Sequence, residues 1–109
     1  MTIAGTYELG DTVKTTATFR YDSTLTDPSG GTNPTCGVKV DVVKSDGTYL
    51  VQDQPVTRDS VGSYYYYFDT TSTDPYGIYI VVWKGHHNLV GYGYKPIIQR
   101  EDILITKVD

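Results

Sequence analysis

The sequence predicts an all-β chain folded as a two-layer antiparallel sandwich, and three observations predict it. Thr, Val and Tyr are abundant, Ala and Leu are scarce, and no long stretch shows a 3.6-residue apolar period. Strand formers therefore prevail and no substantial helix is expected. One phrase, Asp-x-x-Gly-x-Tyr, occurs twice: Asp59-Ser60-Val61-Gly62-Ser63-Tyr64 and Asp74-Pro75-Tyr76-Gly77-Ile78-Tyr79. The Asp caps its own backbone, the Gly supplies positive φ, and the aromatic or β-branched run that follows is strand chemistry. Turn signals recur every ten or so residues along the chain, which gives seven or eight short strands.

The elements follow in order. Residues 7–9 read as a short edge strand before a Gly10-Asp11 turn. Residues 12–21 alternate, with Val13, Thr15, Ala17, Phe19 and Tyr21 on one face and Lys14, Thr16, Thr18 and Arg20 on the other. Residues 22–35 hold Asp-Pro, Ser-Gly-Gly and Asn-Pro. They read as a loop long enough to carry function. Residues 36–44 alternate again through Val38, Val40 and Val42, and Ser45-Asp46-Gly47-Thr48 is a hairpin turn into a return strand over 49–52. Pro55 confines 56–58 to an edge or a bulge. Strands over 63–69 and 78–84 flank a polar loop at 70–74. Gly85-His86-His87-Asn88 reads as a turn, and 90–94 and 103–108 close the sheet, joined through Lys95-Pro96 and Arg100-Glu101-Asp102. In 64–68 the aromatic residues occupy both faces, Tyr64, Tyr66 and Phe68 against Tyr65 and Tyr67. One face packs inward; the other meets a loop or a partner.

A chain of 109 residues is one domain, 1–109, and supports a core without disulfide or metal staples. Its net charge of −4 is spread along the chain. A nucleic-acid surface needs a basic stripe and a membrane surface a polybasic patch, so neither partner is expected. No apolar run reaches membrane-spanning length and residues 1–5 lack the features of a signal peptide, so synthesis in a cytoplasm is expected.

The pattern Gly62-x-Tyr64-x-Tyr66-x-Phe68, a polar loop, then Pro75-x-Gly77-x-Tyr79-x-Val81 resembles the late strands of immunoglobulin-like, macroglobulin-like and bacterial Ig-like sandwich domains. Tyr79 matches the corner tyrosine of those families, whose hydroxyl ties back to the backbone. Two departures mark the chain off from antibody domains: the spacer is one residue longer, and Val81 stands where the second Cys would be. The entry Gly10-Asp11-Thr12-Val13, the Asp27-Pro28 loop and Val38-x-Val40-x-Val42 before Asp46-Gly47-Thr48 extend the likeness over most of the chain. In so short a chain the package is similar to the Ig-like virion structural proteins of tailed bacteriophages and archaeal viruses. What the resemblance implies is a Greek-key Ig-like sandwich at a head–tail neck, a tail or a decorated capsid surface.

Chemistry-bearing groups are few. Cys36 stands alone and reads as a small buried thiol. His86-His87 have no further His or Cys at ligand spacing and read as a solvated turn. Asp22, Asp27, Asp46, Asp53, Asp59, Asp69 and Asp74 all fall at turns, where they cap backbone amides; a Ca²⁺ site built from them is the competing reading. No phosphate loop, nucleophile elbow or zinc-peptidase motif is present, so an enzyme and a cofactor are not expected.

Eleven tyrosines exceed what a core needs. Tyr offers large contact area at low entropic cost, so exposed Tyr65, Tyr67, Tyr76, Tyr92 and Tyr94 are the expected interface. Ile103 and Ile105, in an apolar terminal strand, are expected to join a neighbour's sheet edge. The leading expectation is a non-enzymatic virion module that docks on other virion proteins in a symmetric assembly. A carbohydrate-binding module using Tyr, Trp83 and loop Asp or Asn residues is the alternative, and an extracellular repeat module the third.

Overall fold

The computed structural model describes residues 3–28, 37–89 and 93–107, and all regular structure within them is β. The strands are β1 (Ile3–Glu8), β2 (Thr12–Thr18), β3 (Arg20–Tyr21), β4 (Thr24–Leu25), β5 (Lys39–Val43), β6 (Tyr49–Pro55), β7 (Thr57–Ser60), β8 (Ser63–Asp69), β9 (Gly77–Leu89) and β10 (Gly93–Thr106). One sheet has the order β1-β10-β9-β5-β6; a second has the order β2-β8-β7; β3 and β4 form a separate short ladder. The pairing is antiparallel except for β1, which runs parallel to β10.

The two larger sheets face each other in a sandwich-like arrangement. Strand alternation decides what each contributes. From β2 and the residue after it come Val13, Ala17 and Phe19, and from β8 come Tyr64 and Phe68, all buried. From the larger sheet, Val40 and Val42 meet Tyr79, Val81 and Trp83 of β9 and Ile103 and Ile105 of β10. At about 25 cal/mol per Å² of apolar surface, each buried Val, Ile or Phe among them contributes roughly 1.5–3 kcal/mol by leaving water.

Polar groups meet across the core at Thr15. The Trp83 indole Nε1 donates to Thr15 Oγ1 at 3.3 Å, and that hydroxyl donates to Glu101 Oε2 at 2.6 Å. Beside it, Gln99 Nε2 donates to the Thr18 carbonyl at 2.6 Å. β10 is thereby fastened to β2 across the gap between sheets.

The expected strand over 12–21 divides at Phe19. Its N–H donates to the Gly62 carbonyl at 2.7 Å and its carbonyl accepts from Thr26 N–H at 3.0 Å, so the ladder stops there. Within the expected loop, Tyr21 pairs with Thr24 across Asp22 and Ser23, at φ 53° and 68°. That is the positive-φ pair of a tight hairpin, made by Asp-Ser rather than Asn-Gly.

The expected turn at 85–88 is a correction: it is strand, with Gly85 opposite Ile97 and His87 opposite Lys95. Gly85 serves close approach, since a Cβ there would stand 3.2 Å from Pro28 Cβ. The expected break at 95–96 and 100–102 is likewise absent, and β10 runs unbroken with Pro96 in a stretch paired to β9 on one side. Among the described residues β9 meets β5 over 80–84, and β10 meets β1 over 102–106. The outer parts of β9 and β10 therefore extend as a two-stranded arm. Cys36 and residues 29–35 of the expected functional loop lie outside the described residues.

Gly62 is set by both backbone and space. Its φ is +73°, and a Cβ would lie 2.8 Å from the Phe19 carbonyl oxygen and 2.9 Å from Thr26 N. Gly47 has φ +90° with nothing within 4 Å. Gly62→Ala is expected to cost more than about 2 kcal/mol and Gly47→Ala about 1 kcal/mol, read as urea midpoints at constant slope. Equal costs would contradict the packing argument.

Candidate functional site

The outer face of the three-stranded sheet carries the aromatic patch expected of an interface. In the β2–β8 register Lys14 lies opposite Tyr67 and Thr16 opposite Tyr65, and β7 places Thr57 on the other side of Tyr65. Because Tyr64 and Phe68 point inward, Tyr65 and Tyr67 point out. Tyr67 is 54% exposed and Tyr65 half-buried. Their rings meet edge to face at 5.7 Å and 76°. Lys14 Nζ stands 5.1 Å from the Tyr65 centroid and 5.8 Å from that of Tyr67, within cation–π range. Exposed Thr12, Thr16, Thr18 and Thr57 surround the three.

The other expected interface residues are placed elsewhere. Tyr76 is 61% exposed at the end of the sandwich, where its carbonyl accepts from Ser45 Oγ at 2.7 Å. The backbone of Tyr94 pairs with Asn88 in the arm, and Tyr92 lies outside the described residues. Ile103 and Ile105 are a correction. Both are core residues, with β1 on one side of their ladder and β9 on the other, so no edge is open there for a neighbour's strand. Trp83 is also fully buried, which removes it from any sugar-stacking surface.

The loop carboxylates bind the fold together. Asp27 is the densest centre. Its Oδ1 accepts from Gly62 N–H at 2.9 Å and from the Tyr64 hydroxyl at 2.8 Å, while Arg58 makes a fork onto both oxygens at 3.0–3.1 Å. The Arg58 bond first, then the Gly62 amide and the Tyr64 hydroxyl, hold the Asp27 carboxyl down at about 2. Burial first, and then the Asp27 charge, raise the Tyr64 hydroxyl well above its ordinary value. The amide of the first Asp-x-x-Gly turn is thus capped from 35 residues away. In the second copy Asp74 caps Thr71 N–H at 2.9 Å and pairs with Lys44 at 3.0 Å. The Tyr79 hydroxyl donates to the Pro75 carbonyl at 2.6 Å, and burial pushes that hydroxyl up to about 12. Asp46 closes its own turn onto Thr48.

On the far side of the larger sheet, Lys84 Nζ bridges Asp41 Oδ2 at 3.0 Å and Asp53 Oδ1. Asp41 Oδ1 accepts from Asp53 N–H at 2.7 Å, at a bulge where Asp53 has φ 51°. Burial alone would lower Lys84; the two carboxylates outweigh it and hold the ammonium above its usual value. Sequence periodicity gave no sign of this cluster, because a bulge aligns Asp53 with Asp41.

His87 is a second correction: it is 9% exposed, not in a solvated turn. It meets Tyr21 edge to face at 5.6 Å, and its Nε2 has no hydrogen-bond partner among the described residues. A shallow cleft lined by Gly5, Tyr7, Lys14, Thr16, Glu101 and Ile103 opens beside the Thr15–Glu101 bridge. Among the described residues no group of three His, Cys, Asp or Glu side chains is arranged to hold a metal ion.

A scan against protein-family models and searches of curated proteins and of solved structures find no match to this chain.

The depressed Asp27 carboxyl makes part of the stability acid-labile. That part is fully present above about pH 4, where the unfolded carboxyl is ionised, and is lost as pH falls through about 2. With the Arg58 pair screened by solvent, the loss is expected to be about 1–2 kcal/mol. Urea titrations at pH 5 and pH 2 check it: Asp27→Asn is less stable at pH 5 and has a smaller acid-induced loss. An unchanged acid response in the variant would contradict this role.

Proposed function

We propose that this chain is a non-enzymatic structural module of a virus particle, with an immunoglobulin-like sandwich that docks other virion proteins through the Tyr65–Tyr67 face. The observation that carries the docking role is the outward tyrosine pair with Lys14 on a sheet face otherwise made of threonines, Ser63 and Asp69. Tyrosines ordered by their neighbours lose little entropy on binding and bring both apolar area and a hydroxyl. An immunoglobulin-like, Greek-key reading is supported by the strand order. β2-β8-β7 stands against β10-β9-β5, with β6 added beyond β5 as the variable-type sheet adds a strand. The Tyr79–Pro75 bond supports it too, as a tyrosine tied to backbone a few residues upstream. The viral setting rests on the resemblance of the sequence to Ig-like virion proteins, and the head–tail neck, the tail and the capsid surface are the places that likeness suggests.

The carbohydrate-binding alternative is weakened at this face. Rings crossed at 76° make no flat platform for stacked sugars. Particles purified from the source of this sequence are expected to contain the chain in a fixed ratio to a neck, tail or capsid protein, measured by quantitative mass spectrometry. The double variant Tyr65→Ser, Tyr67→Ser is expected to enter particles at least about tenfold less while its unfolding free energy changes by about 1 kcal/mol or less. Absence of the chain from particles would contradict the reading. Glycan-array binding that the same substitutions abolish would replace it with the carbohydrate module.

A further inference from the structure

Over residues 78–84 of β9 the side chains that point away from the core are Ile78, Ile80, Val82 and Lys84. A sheet face open to water normally alternates to polar residues, whereas strands covered on both faces read as unbroken apolar runs. Here the run is unbroken from 78 to 83. Across the ladders Val43 stands opposite Ile80, Leu104 opposite Ile78 and Ile98 opposite Lys84. Val43, Ile78, Ile80, Val82 and Leu104 are half-buried and Ile98 is 68% exposed. No other element of the described chain is layered over this face: the second sheet lies on the opposite side.

We propose that this outer face of the five-stranded sheet is a self-association surface, covered by the same face of a second copy about a two-fold axis. Charge selects the occupant. The chain carries −4 overall. On β5, β6, β9 and β10 the charged groups of this face are Lys39, Lys84 and Arg100 against Asp41, Asp53 and Asp102, three of each sign, and Glu8, opposite Thr106, adds one negative charge at the β1 edge. Lys84 is paired with Asp41 and Asp53, and Arg100 with Asp102 at 3.2 Å. A two-fold interface sets each patch against its own copy, so a patch with net charge would repel itself; the part of the face on β5, β6, β9 and β10 has none, and Glu8 lies at its edge. Size is consistent with a reversible dimer. Five strands about 4.8 Å apart, covered over roughly 20 Å of their length, give about 500 Å² per partner, near the lower end for specific interfaces. Interfaces of that size are typical of weak, transient contacts. This surface is on the opposite side from Tyr65 and Tyr67, so self-association does not depend on the docking role proposed above.

Sedimentation equilibrium tests it, from about 5 µM to about 500 µM, a range that brackets micromolar affinity. The wild-type chain is expected to pass from monomer to dimer mass. Ile80→Arg, at the centre, and Ile98→Lys, at an exposed position where folding is not at stake, are expected to raise the dissociation constant at least tenfold. Tyr67→Ser is expected to leave it unchanged. Far-ultraviolet circular dichroism and melting confirm that each variant is folded. A monomer across the whole range overturns the proposal. So does a dimer that both Ile80→Arg and Ile98→Lys leave intact, or one that Tyr67→Ser abolishes.

Discussion

The six residues from Ile78 to Trp83 are all apolar, in a strand whose successive side chains point to opposite faces. That constraint organises the molecule. Tyr79, Val81 and Trp83 are fully buried and form the centre of the core, touching what β2, β5, β8 and β10 send inward. β9 must therefore lie inside its sheet, and it does, between β10 and β5. The alternate residues are left facing away from the core. The same six residues that hold the sandwich together also give its far side an apolar surface, which is why fold and association share one cause.

Around this strand the loops are held by carboxylates reaching across the chain. Asp27 binds Arg58, Gly62 and Tyr64, so the segment after β4, the start of β7 and the entry to β8 are one cluster. Lys44, Asp74, Ser45 and Tyr76 join the β5–β6 turn to the β8–β9 loop at the end of the sandwich. Each is a charge-assisted or backbone bond whose removal strands a partner, so the turns are more rigid than their exposure suggests. The tyrosine pair on β8 inherits that rigidity from both ends of its strand.

Alternation made much of this legible in the sequence. It placed β8 to the residue, separated Val13, Thr15 and Ala17 from Lys14 and Thr16, and set Tyr65 and Tyr67 on a common face. What it missed depends on distant contacts. Gly85 resembles a turn glycine, but its job is to admit Pro28, a residue far away in the chain. Pro96 resembles a strand end, yet it sits in β10 where, among the described residues, only β9 pairs. Ile103 and Ile105 resemble an unpaired terminal strand until β1 returns in parallel beside them. The Asp27 centre had no local signature, because the amide it caps belongs to a turn built by other residues. A bulge hid the Asp41–Lys84–Asp53 cluster by shifting which residues stand opposite.

The molecule thus presents two unlike faces, a tyrosine and threonine face on the smaller sheet and an apolar face with internally paired charges on the larger one. Both depend on β9 having its odd side chains inside and its even ones outside. Methyl relaxation with a soluble paramagnetic chelate measures that directly, residue by residue. The methyls of Val81 and Ile105 are predicted to be shielded at every protein concentration. Those of Ile80, Val82 and Leu104 are predicted to be reached in dilute solution and shielded as concentration rises. Equal shielding of Val81 and Val82 in dilute solution, or no change at Ile80 and Val82 on concentration, would contradict the two-faced strand on which this reading of the molecule stands.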